Sequence, residues 1–210
     1  MVFGADGRLG ASTVQELLRR HHSVRAVIRP GKRRGPAPKE VTTVVADVTD
    51  PASVAEAVRG ADAVISAIGP GSTGAAQVIT SAARSLIDGL RAGGVTRLVV
   101  VGGAGSLEVR PGVQLLDTPS FPAAWKGAAT AHRDALGVFR GEADLEWTVL
   151  SPAATVTTGA RTGHYRAGGD GLLVDANGRS EISAEDLAVA LVDEVEIPRH
   201  IRRRFTVANA

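Results

Sequence analysis

The chain has 210 residues, 44% of them apolar, which suits a globular protein with a substantial core. It has no cysteine, so disulfides, thiolate metal sites and a cysteine nucleophile are excluded. The 24 basic and 22 acidic residues leave a formal charge of +2, which argues against nucleic acid as a partner, and no apolar run approaches the ~20 residues of a membrane span.

The first ten residues are the most informative. Val2 and Phe3 read as the end of a strand, Gly4, Gly7 and Gly10 as a G-x-x-G-x-x-G turn, and Val14, Leu17 and Leu18 as the apolar stripe of the helix that follows. Such a turn sets backbone N–H groups and a helix N-terminus against a pyrophosphate, and side chains on the first two glycines would block the approach. With 25 glycines the spacing alone is weak, and the strand before it and helix after it carry the reading. Only three residues precede Gly4, whereas central strands usually run ~5–6. The first strand is therefore either short or continued upstream of Met1.

Val24 to Ile28 reads as a second strand, stopped by Pro30 and Gly31, and the β-branched run Val41 to Val45 as a third. Asp50 is placed to cap a helix with Pro51 at its first position, and Val54 and Val58 lie one turn apart on it. A strand over Ala63 to Ile68 ends at Gly69-Pro70-Gly71. A helix over about Thr73 to Ala92 repeats Val78, Ala82, Leu86 and Leu90 every fourth residue. Leu98 to Val101 is a continuous apolar run of the kind buried on both faces of a parallel sheet. A helix over Ala123 to Arg140 and a strand over Trp147 to Leu150 come next. Residues 153–180 read as substrate-side loops with a short strand around Leu172 to Val174. Ser183 caps a helix through about Val195, and Phe205 to Val207 reads as a last strand. Alternating strands and helices predict an α/β, doubly wound parallel sheet of Rossmann type, here one domain over residues 1–210.

In such sheets the ligand lies beyond the carboxyl ends of the strands. An NAD-specific site usually has Asp or Glu after the second strand, bonding the ribose 2′-hydroxyl. This chain has Arg29 there, followed by Lys32, Arg33 and Arg34. A guanidinium grips a 2′-phosphate bidentately where a carboxylate would repel it, so NADP(H) is expected in preference to NAD(H). Arg8, inside the turn with Asp6 and Leu9, is placed to reach the same phosphate. Asp47 and Val48, after the third strand, are placed for the adenine, although Asp47 also reads as a turn-starting residue. Ala67, Ile68 and Gly69 fall beside the pyrophosphate and nicotinamide ribose, and Gly102, Gly103, Ser151, Pro152 and Ala153 border the nicotinamide.

The chain resembles the atypical short-chain dehydrogenase/reductases of the NmrA-like group. More closely it resembles the bacterial NADH-flavin reductase group, with biliverdin reductase B as a distant relative. The resemblance rests on Gly4 to Gly10, Gly60 to Val64, Val101 to Leu107, Trp147 to Pro152, Arg161-Thr-Gly163 and Glu185 to Ala188. It implies a Rossmann fold, an NADP or NAD site and reduction of a small molecule. Asp6 departs from the group, where threonine is usual.

The proton chemistry departs more. Ordinary short-chain dehydrogenases use Tyr-x-x-x-Lys, but the single tyrosine here, Tyr165, is followed four positions later by Gly169, and Lys126 is preceded at that distance by Pro122. The remaining candidates are Ser106, Lys126, His132 and His164. His132 shares a helical face with Ala128, Ala135, Leu136 and Phe139 and reads as a packed residue. Trp125 reads equally as packing or as a substrate wall, and the loop Arg161 to Tyr165 as a lid. No His, Asp and Glu have metal-ligand spacing. The leading expectation is a cytoplasmic NADPH-dependent reductase whose substrate is a flavin or a similar flat conjugated molecule. The alternatives are a non-catalytic NADP sensor and an epimerase, dehydratase or ketoreductase. Oligomeric state stays open.

Overall fold

The computed structural model of the chain describes residues 1–31, 39–70 and 75–210. Lys32, Arg33 and Arg34, and the expected helix start at Thr73, lie outside the described residues. In chain order the elements are β1 (Val2–Phe3), α1 (Arg8–Arg19), β2 (Val24–Ile28), β3 (Val41–Val45), α2 (Pro51–Val58), β4 (Val64–Ser66), α3 (Gln77–Gly93) and β5 (Arg97–Val101). They continue with β6 (Glu108–Arg110), β7 (Val113–Gln114), α4 (Ala123–Arg140), β8 (Glu146–Pro152), β9 (Thr155–Thr157), β10 (Tyr165–Gly168), β11 (Glu181–Ser183), α5 (Ala184–Glu196) and β12 (Arg203–Asn209).

Eight strands form the main sheet in the order β10-β12-β8-β5-β4-β1-β2-β3. Every pairing is parallel except that of β10 with β12. The strand order reverses at β1, where the chain leaves for β2 on one side and later for β4 on the other. That is the switch point at which such folds bind their ligands. Within this sequence β1 spans two residues, and Met1 extends its ladder by accepting a hydrogen bond from Ile65 N at 2.8 Å.

The helices cover both faces. Phe3, Val64 and Leu98 point to the face covered by α2, α3 and α4, in one core with Leu86, Leu90, Phe139 and Trp147. Val2, Ile65 and Val99 point to the face covered by α1 and α5, with Leu17, Leu187, Leu191 and Phe205. This alternation is the period of a strand buried on both sides. Leu86 and Leu90 are 1% and 0% exposed, so truncating either to alanine would cost roughly 2–5 kcal/mol.

The local signals fold as their chemistry requires. Asp50 accepts a hydrogen bond from Ala52 N at 3.0 Å at the start of α2, and Ser183 accepts one from Asp186 N at 3.0 Å at the start of α5. The expected strand at Leu172 to Val174 does not form. Leu172 N donates to Glu108 O at 2.8 Å, but a turn closes immediately afterwards, with Asp175 N donating to Arg179 O at 2.8 Å. The strands of this region are β9, paired with β11, and β10 at the sheet edge. Among the described residues no helix is long and apolar enough to cross a membrane.

Candidate cofactor and substrate site

The crevice at the switch point is built around the glycine turn. Gly4 leaves β1 with φ +76°, and a Cβ there would stand 2.7 Å from the carbonyl oxygen of Ala67. Gly7 N donates to Gly4 O at 3.0 Å, closing the turn. A Cβ on Gly10 would stand only 2.0 Å from Gly4 O, so α1 begins directly against the turn. Gly7 caps α1 with extended backbone, no side chain accepts from the cap, and no acidic residue lies in the first turn. The first amides of α1 have no intrahelical partner and carry the positive end of the helix dipole. This cradle, which a side chain would fill, fits a dinucleotide pyrophosphate. Asp6, Gly7 and Arg8 are exposed along it, Leu9 is half-buried and Gly10 is buried.

Arg29 follows β2 and is exposed, as is Asp47 after β3. Asp47 Oδ1 accepts from Thr49 N at 2.8 Å and from Thr49 Oγ1 at 2.7 Å. These bonds, with a smaller contribution from the Arg29 charge, hold its carboxyl below the usual carboxylate range. Asp47 therefore starts a turn and still presents a carboxylate beside Arg29. Val48 is 4% exposed, its side chain in the core.

Ala67, Ile68 and Gly69 are half-buried after β4, as are Gly102 and Gly103 after β5. A Cβ on Gly103 would meet the Cβ of His132 at 3.0 Å, so this loop lies flat on α4. Ser151, Pro152 and Ala153 are buried and continue β8, and Gly102 N donates to Leu150 O at 2.8 Å.

Ser106, Lys126 and His164 stand on different elements, and no hydrogen bond joins them among the described residues. Ser106 is buried, and its Oγ accepts from Arg204 Nη1 at 2.9 Å. Lys126 is exposed near the start of α4. His164 is exposed on a loop fastened to the other helical layer. There the Asp186 carboxylate accepts from Thr162 N and Gly163 N, each at 2.8 Å, and from Thr162 Oγ1 at 2.7 Å. The Tyr165 hydroxyl donates to Asp193 Oδ2 at 2.7 Å, and burial together with that carboxylate pushes its pKa up. Among the described residues no group of three His, Asp or Glu is placed to hold a metal ion.

α4 presents two residues whose place sequence reasoning did not settle. It links the parallel strands β5 and β8, so it begins at the carboxyl end of the sheet. Its first residues, 123–127, are all exposed. Trp125 is 60% exposed there, which excludes a packing role. His132 lies seven residues on, two helical turns along the same face. It lines a cavity of about 20 Å³ with Ser66, Ile68, Gly102, Leu136 and Phe139. Burial lowers its pKa to about 4. The spacing of Trp125 and His132 was visible in the sequence, but it looks the same for a packed stripe and a ligand-facing one.

The model of a family described as NAD(P)H-binding matches residues 4–198. YwnB, an uncharacterised protein of Bacillus subtilis, is 37% identical over 99% of this chain and 97% of its own length. A crystal structure of a Burkholderia pseudomallei protein provisionally described as exported is 48% identical, with a TM-score of 0.90 over 99% of this chain and 97% of that one. A Streptococcus pneumoniae protein provisionally described as an NADH-flavin reductase is 32% identical, with a TM-score of 0.87 over 100% of this chain and 98% of that one. With a switch-point cradle that fits a pyrophosphate and a family match over nearly its whole length, the chain belongs to the NAD(P)H-binding family.

Proposed function

We propose that this chain, an NAD(P)H-dependent oxidoreductase, prefers NADPH and reduces a flavin or a similar flat conjugated acceptor. When bound, the reduced dinucleotide supplies the hydride. The chain's own residues bind and orient. The backbone amides around Gly4, Gly7 and Gly10 would hold the pyrophosphate. Arg29, assisted by Arg8, would attract the 2′-phosphate. Asp47 would meet the adenine edge. Ile68, Gly102 and Gly103 would flank the nicotinamide, with Pro152 and Ala153 behind them.

The observation that carries this reading is the fate of the one tyrosine. Tyr165 is tied to Asp193 on α5, and Lys126 stands alone on α4. Among the described residues no tyrosine–lysine pair is available to protonate an alkoxide. An acceptor that takes its proton from solvent needs no such pair, and a flavin is one. For it the protein's contribution is holding two flat rings together, which alone removes much of a barrier. Trp125, exposed near the start of α4, supports a flat substrate, and the name given to the Streptococcus pneumoniae relative agrees.

The test is oxidation of NADPH and NADH by the purified protein with riboflavin, FMN and FAD, followed by loss of nicotinamide absorbance. Saturable flavin-dependent oxidation, faster with NADPH, is the expected result. Tight dinucleotide binding with no oxidation in any combination would overturn it in favour of a sensor.

A further inference from the structure

A second cavity, of about 270 Å³, opens between α5 and the sheet edge made by β12 and β10. Tyr165 and Ala167 of β10, Phe205 of β12, Asp193 and Glu196 of α5 and Arg199 of the turn after α5 all line it. It lies at the end of α1 away from the glycine turn. Arg20, just past that end, donates to Asp193 Oδ1 and to Glu196 Oε2 at 2.7 Å each. The cradle is about 18 Å back along the helix.

The walls are tied together internally. Glu194 is 3% exposed and accepts from Arg97 Nη2 at 2.9 Å and from His200 N at 3.0 Å. Its Oε2 bonds His200 Nδ1 at 2.7 Å, and the His200 ring stacks on Phe205 with centroids 4.1 Å apart. Asp193 is held by Arg20 and Tyr165, and Glu196 by Arg20 and His22. Walls already ordered lose little freedom when a ligand binds.

The polar groups left over are of both signs. Each carboxylate oxygen of Asp193 and Glu196 takes one hydrogen bond and can accept another. Arg199 donates its backbone N–H to Glu194, but its guanidinium has no partner among the described residues. Its charge reaches the Tyr165 hydroxyl, which is bonded to Asp193, so the unpaired cation and the spare carboxylate lone pairs border one space. A ligand that is only a cation would meet the Arg199 charge, and one that is only an anion would meet the carboxylates. A zwitterion suits both, with its carboxylate on the guanidinium fork and its ammonium group on the acids. The space is that of about nine waters, the scale of one amino acid.

We infer that this cavity is a second binding site, for an α-amino acid with an apolar side chain. Arg199 takes the carboxylate, Asp193 and Glu196 take the ammonium group, and the side chain lies against Phe205 and Ala167. The site is separate from the cofactor crevice and independent of the flavin reading.

The test is an amide NMR titration of the full chain with L-phenylalanine, 3-phenylpropionate and phenethylamine. Phenylalanine should give saturable shifts at Tyr165, Ala167 and Arg199. Its Kd should be about 1 mM or below, as about a dozen non-hydrogen atoms bring at modest efficiency. The two analogues each lack one charge and should bind at least about tenfold more weakly. Arg199→Ala should weaken phenylalanine by a similar factor, and Ala167→Phe should abolish binding by filling the cavity. Both side chains are exposed, so the variants should keep the wild-type melting temperature and an NADPH Kd within about twofold. No saturable shift with phenylalanine at about ten times that concentration would overturn the inference, as would shifts that persist in both variants. Equal affinity for phenylalanine and either analogue would overturn it on the wild-type chain alone, leaving a site for a single charge.

Discussion

Arg161 and Glu16 are joined by a forked ion pair, Nε to Oε2 at 2.6 Å and Nη2 to Oε1 at 2.8 Å, across 145 residues of chain. The pair fastens the segment after β9 to the middle of α1, the helix whose first turn forms the cradle. Arg20 Nε adds a third bond to Glu16 at 2.8 Å. The Arg161 fork, more than Arg20, holds the Glu16 carboxyl down to about 2 against the opposing effect of burial. A depressed carboxylate contributes stability fully above its unfolded value of 4.5 and loses it as pH falls through its folded value. Glu16→Gln should therefore destabilise the protein by about 2 kcal/mol at pH 7, discounted because Arg161 is a third exposed. The gap to wild type should close between pH 4.5 and about 2. Urea denaturation across that range checks it, and a gap independent of pH would mean the fork contributes nothing.

Gly7 and Gly10 should respond oppositely to alanine. At Gly10 the new Cβ would stand 2.0 Å from the Gly4 carbonyl, so α1 could not sit against the turn. Gly10→Ala should lose about 3 kcal/mol of stability and with it the cofactor site. Gly7 has φ −77°, open to any residue, and its Cβ would meet only Gly4 O at 3.3 Å. Gly7→Ala should fold with a loss of under about 1 kcal/mol yet bind NADPH at least tenfold more weakly, because the methyl occupies the phosphate approach. Denaturation and calorimetry on the two variants separate fold from binding.

Most of the fold was legible because its signals are local. α4 spans Ala123–Arg140 as expected, and Asp50 and Ser183 cap where their side chains suggest. The region after β8 was less legible because its pairing partners are distant. The edge strand β10 depends on β12, some forty residues on, and no local pattern around Tyr165 announces it. The motifs Arg161-Thr-Gly163 and Glu185 to Ala188 were both visible. That they are one joint, with the Asp186 carboxylate gripping Thr162 and Gly163, needed the structure. It also turns the expected lid into a segment anchored on α1 and α5.

Arg29 tests the cofactor preference. It stands exposed after β2, where its charge helps hold the Asp47 carboxyl low. Arg29→Asp replaces a cation suited to a 2′-phosphate by an anion that repels it. NADPH affinity should fall roughly 10–100-fold while NADH affinity changes by no more than about twofold. Calorimetric titration with both coenzymes decides it, and equal losses would return Arg29 to the solvated surface.

Tyr165 should be dispensable for turnover. Its hydroxyl serves Asp193, which Arg20 also holds, with Nη1 donating at 2.7 Å. Tyr165→Phe should cost about 1 kcal/mol of stability through the lost hydrogen bond and leave kcat with a flavin acceptor unchanged. A large fall in kcat with unchanged KM would show that the phenol delivers a proton after all, and would remove the ground for choosing an acceptor that needs none.

Trp125 gives the acceptor site its own optical reporter. The chain has two tryptophans. Trp147 is 3% exposed, donates from Nε1 to Glu142 O at 3.0 Å and leans on Phe139 with ring centroids 6.1 Å apart. Trp125 is 60% exposed on the turns of α4 that stand beyond the sheet. Its emission should be the red-shifted component, and riboflavin binding should quench that component and spare the buried one. An exposed indole gains about 1 kcal/mol or somewhat more from stacking on a flat ring, so Trp125→Ala should raise the flavin KM roughly tenfold, leave the NADPH Kd alone and change stability little. Quenching confined to Trp147, or a flavin KM indifferent to the loss of Trp125, would place the acceptor on another wall of the crevice.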